Sequence, residues 1–193
     1  MKKGTIILIV AIAAIAMWGV STYNGLVTTQ EGVETAWSNV ENQYQRRSDL
    51  IPNLVNTVKG YASHEKTTFE DVIAARSKAT QVTIDPANLT PAKLKEFQEA
   101  QGAVGAALSR LIAVSERYPE LKADKNFREL QAQLEGTENR IATERRRFNE
   151  TAKEYNISVR RFPKNIIAGL CGFDKRPYFE AEEGARKAPE VKF

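Results

Sequence analysis

The sequence predicts an all-α protein in which an N-terminal transmembrane helix is followed by an antiparallel four-helix bundle with long first and fourth helices. Two observations lead to this class. No charged residue lies between Lys3 and Glu31, and apolar residues further along the chain recur at intervals of seven. A repeat of seven places one apolar stripe along a helix, as packing against neighbouring helices requires. No stretch shows the period-two alternation that indicates a strand.

The uncharged N-terminal stretch is expected to cross a membrane once, over residues 5–23. Residues 5–20 are almost entirely apolar, and continuing to Tyr23 approaches the roughly 20 residues that a bilayer core of about 30 Å requires. Trp18 and Tyr23 are aromatic types found at bilayer interfaces, so both are candidate interface residues. The alternative is a cleaved secretory signal ending near residues 14–16, but apolar residues continue beyond that point.

Lys2 and Lys3 place residues 1–4 in the cytoplasm by the positive-inside rule. The expected location is therefore the cytoplasmic (inner) membrane, with a single pass, the N-terminus inside and the bundle on the extracytoplasmic side. The net charge of +4 includes these two lysines, and the nearly balanced remainder argues against a nucleic-acid partner. Membrane lipids are expected partners through the anchor. Cys171 is the only cysteine, so no internal disulfide can form.

The heptad stripes divide residues 24–162 into four helices. Helix-breaking residues separate them at 60–64, 85–88 and 118–120. Pro52 falls inside the first helix, where it is predicted to kink or divide that helix because proline lacks a backbone N–H. The main seam residues are Val33, Trp37, Val40, Tyr44, Ile51, Leu54, Val58 and Tyr61 in the first helix, and Phe127, Leu134, Ile141, Phe148, Tyr155 and Phe162 in the fourth.

The C-terminal tail, residues 163–193, contains a short apolar stretch flanked by basic residues. If the fourth helix runs antiparallel to the first, its end returns to the membrane and this stretch lies near the lipid surface. It is then either an amphipathic foot on the headgroups or a short helix that caps the open end of the bundle. The candidate membrane-interface residues are Ile166, Ile167, Leu170 and Phe173.

A family resemblance is carried by blocks spread over nearly the whole chain. The longest is Gln-Tyr-Gln-Arg-Arg-Ser-Asp-Leu-Ile-Pro-Asn-Leu-Val at residues 43–55. The other blocks are residues 23–27, 37–39, 58–65, 75–78, 115–122, 134–141, 155–156 and 162–163. Together they resemble the LemA family. The resemblance implies a single-pass bacterial membrane protein with an outward helical bundle and no established reaction or ligand; some relatives are associated with membrane-organelle biogenesis.

The sequence offers one weak candidate for catalysis, Ser63-His64-Glu65, which contains the only histidine. Adjacent residues do not face one another on a helix, and the second histidine of a zinc-protease helix is missing. A helix boundary with Ser63 as N-cap is the favoured interpretation. We therefore predict no catalytic, cofactor-binding or metal-binding residues, no cofactor and no enzymatic activity.

Arg47 stands in the first-helix seam where an apolar residue is expected. A buried guanidinium must be paired, because an unpaired buried charge is strongly destabilising. Antiparallel alignment of the first and fourth helices sets Arg47 opposite Glu138. This predicts a buried polar layer of Arg47 and Glu138, with Asp49 or Asn139 as further members. The layer is interpreted either as a device that fixes the helix register or as a ligand or proton site.

Two basic runs, residues 46–47 and 145–147, are predicted to form an ion-paired surface, or a docking patch for an acidic partner. The leading functional hypothesis is a non-enzymatic scaffold or adaptor for partner proteins, or a homo-oligomer, at the cell envelope. It follows from an anchor, a rod of packed helices and the lack of a catalytic constellation. The alternative is a small-molecule-sensing or hydrolytic site in the polar layer around Arg47.

Overall fold

The computed structural model describes residues 3–180, and within that range it contains helices and no strand. The all-α class is therefore confirmed for the described residues. Two short 3-10 turns lie at Pro86–Asn88 and Ser115–Arg117. The helices are α1 (Lys3–Tyr61), α2 (Lys66–Gln81), α3 (Pro91–Val114), α4 (Pro119–Ala123), α5 (Lys125–Arg160) and α6 (Lys164–Cys171).

Helix α1 combines the apolar N-terminal stretch and the first helix of the folded body in one continuous element of 59 residues. At about 1.5 Å of rise per residue its length is about 88 Å. Residues 3–18 are all exposed, whereas Leu26, Val40 and Val58 are fully buried. By length and composition the N-terminal part could cross a membrane. Its exposed apolar surface has no partner within residues 3–180.

Pro52 does not divide α1, which continues through it to Tyr61. Proline cannot donate to the carbonyl four residues earlier, which belongs to Ser48. Arg76 of α2 replaces the missing donor, since its Nε donates to the Ser48 carbonyl at 2.9 Å. Pro52 itself is exposed, so its ring lies on the solvent side. Of the two predicted effects of Pro52, a kink or a division, the division does not occur, because a side chain from another helix satisfies the freed carbonyl.

Helices α1 and α5 run antiparallel along most of the body. Trp37 and Phe148 meet edge to face at 5.8 Å between ring centroids, and further along the Tyr61 hydroxyl donates to Asp124 at 3.0 Å. Helices α2 and α3 pack on each other and against α1. Most of the seam residues predicted from the heptad pattern are buried. The seam therefore points inward over most of the body.

The apolar core forms two clusters along the long axis. The proximal cluster, nearer the N-terminal apolar stretch, contains Leu26, Trp37, Phe97 and Phe148. The distal cluster includes residues of α1, α2, α3, α4 and α5. Its main buried members are Ile51, Leu54, Val58, Phe69, Val72, Val104, Leu108, Leu111, Leu121, Phe127 and Leu134.

The start of α2 differs from the prediction. The helix begins at Lys66, with Glu65 in the capping position and no side chain capping it, so the assignment of Ser63 as N-cap was wrong. Glu65 instead contacts the 3-10 turn that follows α3, where its Oε2 lies 3.0 Å from Arg117 Nη2. The carboxylate therefore serves a contact between helices, and Ser63 is an exposed residue of the preceding turn.

Asp124 caps α5 and gives a pH-dependent prediction. Its pKa lies below the ordinary 3.8, first because it accepts the Phe127 N–H and second because the Tyr61 hydroxyl donates to it. A lowered folded-state pKa adds stability that is present above 3.8 and is lost as pH falls through the lower value. In Asp124→Asn, whose side chain still accepts a hydrogen bond but does not titrate, we expect melting temperature to depend less steeply on acid pH.

Thermal unfolding of the full chain in nanodiscs is monitored by circular dichroism at a series of pH values from neutral to acid. The matched control is Asp49→Asn, which changes an exposed aspartate within α1. If the melting temperature of Asp124→Asn falls as steeply with acid pH as that of the native chain, Asp124 is not a source of the pH dependence.

Candidate functional site

A buried arginine and its partners form the most distinctive polar group in the body. Arg47 is 4% exposed, and its Nη1 donates to Glu138 Oε1 at 2.9 Å. Its Nη2 donates to the backbone carbonyl of Gln101 at 2.9 Å and to the Gln101 side-chain oxygen at 2.6 Å. The guanidinium also lies 5.1 Å from the centre of the Tyr44 ring. A carboxylate, two neutral acceptors and an aromatic face therefore surround this charge.

The polar layer of Arg47, Gln101 and Glu138 lies between the two core clusters. On α1, Tyr44 belongs to the proximal cluster and Ile51 to the distal one, with Arg47 between them. A displacement of α1 along α5 would separate Arg47 from Glu138, and a buried charge without its counter-ion is strongly destabilising. This geometry is suited to fixing the helix register.

Two residues predicted for the layer lie outside it. Asp49 is exposed and accepts a hydrogen bond from Gln45 at 2.8 Å, because two residues beyond Arg47 the α-helix has turned to its other side. Asn139 is exposed as well, and its carbonyl accepts from the Thr143 hydroxyl within α5. Both assignments were wrong: Asp49 lies on the other side of α1 from Arg47, and Asn139 is turned about 100° away from Glu138 around α5.

Gln101 was missed by the sequence analysis, although a signal for it exists. It lies seven residues after Leu94 and seven before Leu108, and both leucines are buried. A polar residue at this position of α3 is as conspicuous as Arg47 in α1. Because each of these polar residues interrupts an apolar seam, comparing the two seams would have predicted that Arg47 and Gln101 contact each other.

A small cavity adjoins the layer. Its volume is about 120 Å³, and Tyr44, Arg47, Ser48, Arg76 and Gln101 contribute to its lining. Ser48 Oγ is buried without a hydrogen-bond partner among the described residues, while Arg47 and Arg76 are engaged as described above. Sites for drug-sized ligands usually measure about 300–1,000 Å³. The cavity therefore suits a few waters or a very small polar ligand.

A second feature, which the sequence analysis did not predict, is an extended segment after α6. We call residues 173–180 the C-terminal strap. Asn156 of α5 exchanges two hydrogen bonds of 2.8 Å with the backbone of Arg176. Asn149 does the same with Phe179, at 2.8 and 3.0 Å. The two amides are seven residues apart on α5 and pair with the strap backbone as a neighbouring strand would.

The strap completes an aromatic cluster around Trp37. Phe179 stacks on Trp37 at 5.9 Å with an interplanar angle of 10°. Phe97 and Phe148 meet the same indole edge to face, at 5.2 and 5.8 Å. Arg145 lies over Phe179 at 4.9 Å. The end of the described chain is therefore packed against the body well away from α6.

The basic runs and the serine-histidine pair lie mostly on the surface. Arg147 pairs with Glu144 at 2.7 Å, while Arg46 and Arg146 are exposed. His64 is exposed in the turn between α1 and α2. No group of three or more possible metal ligands occurs within residues 3–180.

The six predicted interface residues lie at one end of the body, on α1 and around α6. Trp18 and Tyr23 are 39% and 44% exposed, and Ile166 and Leu170 are 49% and 80% exposed. Ile167 and Phe173 are half-buried. Phe173 meets Tyr23 edge to face at 5.5 Å, so α6 is attached to α1 at this level. Interface contact itself stays a prediction.

Comparisons with known proteins agree on one family. A model described as the LemA family matches residues 36–193. Magnetosome protein MamQ 2 of Paramagnetospirillum magneticum is 30% identical over 186 residues, which cover 88% of this chain and 68% of the relative. Magnetosome protein MamQ of Magnetospirillum gryphiswaldense is 28% identical, with 99% and 78% covered. Protein LemA of Metamycoplasma hominis is 24% identical, with 83% and 69% covered.

Proposed function

The chain belongs to the LemA family, and we propose that it is a non-enzymatic scaffold for partner proteins at the cell envelope. In this proposal residues 5–23 cross the cytoplasmic membrane with the N-terminus inside. The body stands on the extracytoplasmic side as an antiparallel four-helix bundle made by α1, α2, α3 and α5. The antiparallel contacts of α1 with α5 and the packing of α2 on α3 support this arrangement. Relatives named as magnetosome proteins support membrane association.

The observation that carries the proposal is the continuity of α1 from the apolar stretch into the core. From Thr22, the first buried residue of α1, to Tyr61 the helix extends about 60 Å at ~1.5 Å per residue. No loop separates the apolar N-terminal stretch from the part of α1 that packs in the body, so the two parts cannot change their relative orientation at a flexible joint. A body joined in this way presents its surface at a defined height and orientation above the lipid, as a scaffold or spacer requires.

The exposed surface of the body also suits recruitment better than catalysis. His64 is exposed in a turn, and the buried charge of Arg47 is already used by Glu138 and Gln101. Large apolar side chains exposed on the body, such as Ile73 at 55%, are scattered among polar ones. We therefore expect a partner to be recognised through polar and charged contacts.

A second candidate function is supported by the cavity beside Arg47. In this alternative the chain senses or hydrolyses a small molecule at the polar layer, where the Ser48 hydroxyl, which has no hydrogen-bond partner within residues 3–180, offers a contact. The cavity of about 120 Å³ restricts such a ligand to a few atoms. Stabilisation of the native full chain, but not of Ser48→Ala, by a very small polar compound would favour this function.

Photo-crosslinking in intact cells tests the scaffold. A photoreactive amino acid is placed at Ile73 on α2, Glu99 on α3 or Arg146 on α5, all exposed positions. We expect at least one of them to capture the same protein reproducibly, as identified by mass spectrometry. The matched control is Ile9, which is 52% exposed in the apolar stretch and should react mainly with lipid.

The outcomes separate the parts of the proposal. A captured second copy of the chain would assign the surface to self-assembly. Capture of a protein confined to the cytoplasm would contradict the orientation. If all three body positions yield no protein while Ile9 yields lipid, the scaffold is refuted and the membrane anchor stands.

A further inference from the structure

One face of α6 is apolar and points away from the body. Phe162, Ile166 and Leu170 are 76%, 49% and 80% exposed. Ile166 and Leu170 are four residues apart within α6 and so lie on one face of it, and Phe162 is exposed in the turn before the helix. We call these three residues the foot stripe. Within residues 3–180 no side chain covers it.

The opposite face of α6 fixes the height of the foot stripe relative to α1. Ala168 is 1% exposed, and Phe173 packs edge to face on Tyr23. A Cβ added at Gly19 would lie 3.9 Å from Cδ1 of Ile167. Helix α6 therefore sits beside the segment of α1 from Gly19 to Tyr23, before the main core begins at Leu26.

This height lies within the expected thickness of a bilayer. From Lys3 to Gly19, α1 rises only about 24 Å at ~1.5 Å per residue. The hydrocarbon core is about 30 Å thick. If Lys3 stays at one surface, Gly19 has not yet reached the other. Helix α6, packed at Gly19, must then lie at the level where acyl chains meet headgroups.

The charges around the foot stripe suit the same environment. Arg160, Arg161, Lys164 and Lys175 flank it and are all exposed. No acidic residue occurs between Glu154 and Asp174. Apolar side chains flanked by cations are typical of a segment that binds anionic headgroups and buries its apolar side in the lipid.

We propose that the foot stripe inserts into the leaflet nearest the body and that its flanking cations bind anionic lipid headgroups. The inference rests on the N-terminal span that the proposed function also uses. The membrane attachment then has two parts, α1 through the bilayer and α6 on its surface. Two points of attachment restrict how far the body can tilt on the membrane, so the side that carries α6 is held toward the lipid.

The single native cysteine provides the test. Cys171 is exposed at the end of α6, next to Leu170, and it can be labelled with an environment-sensitive fluorophore. The labelled full chain is reconstituted in phosphatidylcholine vesicles containing phosphatidylglycerol, and flotation with the vesicles after an alkaline carbonate wash, which removes proteins bound only at the surface, shows that the chain is embedded in the bilayer. We expect blue-shifted emission and quenching by lipids that carry a nitroxide near the headgroup. The control places the probe at Ser63→Cys in a Cys171→Ser background, in the exposed turn at the far end of α1.

Two substitutions separate lipid contact from structural support. Leu170→Glu places a charge in the foot stripe and should abolish the quenching without changing the melting temperature. Ile73→Glu changes an exposed isoleucine on α2, outside the foot stripe, and should leave the quenching intact. Quenching at Cys171 no greater than at position 63 would overturn the proposal. Protection from aqueous iodide without quenching by lipid nitroxides would also overturn it, because protein would then cover the stripe. Failure to float would refute the span itself, and with it the tethered scaffold.

Discussion

Replacing Trp37 by alanine is expected to lower the free energy of unfolding by about 3–5 kcal/mol, as observed when large buried aromatic residues are truncated. Trp37 is 1% exposed and contacts the rings of Phe97, Phe148 and Phe179. These rings come from α3, α5 and the strap, so a cavity here loosens three elements at once. For a body of this size the melting temperature should fall by about 2–4 °C per kcal/mol. Thermal unfolding of the full chain in nanodiscs, monitored by circular dichroism, measures this fall in melting temperature.

The other tryptophan is the matched control. Trp18 is 39% exposed in the apolar stretch, and Trp18→Ala should leave the unfolding of the body nearly unchanged. Trp37→Phe should be milder than Trp37→Ala. It keeps an aromatic ring and removes Nε1, which is buried without an acceptor among the described residues. Equal losses in Trp18→Ala and Trp37→Ala would mean that the aromatic cluster does not hold the body together.

Much of the core could be predicted from the sequence because helix packing leaves a periodic record. The seam from Val33 to Val58 and the stripe from Phe127 to Tyr155 follow a repeat of seven, and the described structure buries them. The last residue predicted in that stripe, Phe162, is not buried. Phe162 is 76% exposed because α5 ends at Arg160, so the periodicity no longer determines where the side chain points.

The strap could not be predicted in the same way. Its order comes from the side-chain amides of Asn149 and Asn156, and an extended segment bound by amides leaves no apolar period. The hydrogen bond from Arg76 to the Ser48 carbonyl could not be predicted from the sequence for a similar reason, since it joins α2 to α1 across an irregular connection. For the candidate site, interrupted seams reveal Arg47 and Gln101. The exposure of Asp49 could also have been predicted, because an α-helix turns by about 100° per residue and Asp49 lies two residues beyond Arg47.

Arg47 and Glu138, the two members of the ion pair, should differ in what their loss does to stability. Glu138→Met leaves Arg47, 4% exposed, with neutral acceptors only. Loss of a hydrogen bond to a charged group should destabilise the body by about 2 kcal/mol. Arg47→Met removes the buried charge and keeps most of the side-chain volume. Its partner Glu138 is 44% exposed and can turn to water, so the expected loss is within about 1 kcal/mol.

The double variant Arg47→Met with Glu138→Met tests whether the pair acts as a unit. Once the guanidinium is gone, the carboxylate has nothing left to neutralise, so the double variant should match Arg47→Met alone. The melting temperatures of the native chain and the three variants, measured in nanodiscs at neutral pH, then give a coupling energy close to the full effect of Glu138→Met. A larger loss in Arg47→Met than in Glu138→Met would show instead that the arginine acts mainly through Gln101 and Tyr44, its other contacts in the layer. Register would then be set by the contact of α1 with α3, and the charge on α5 would be secondary.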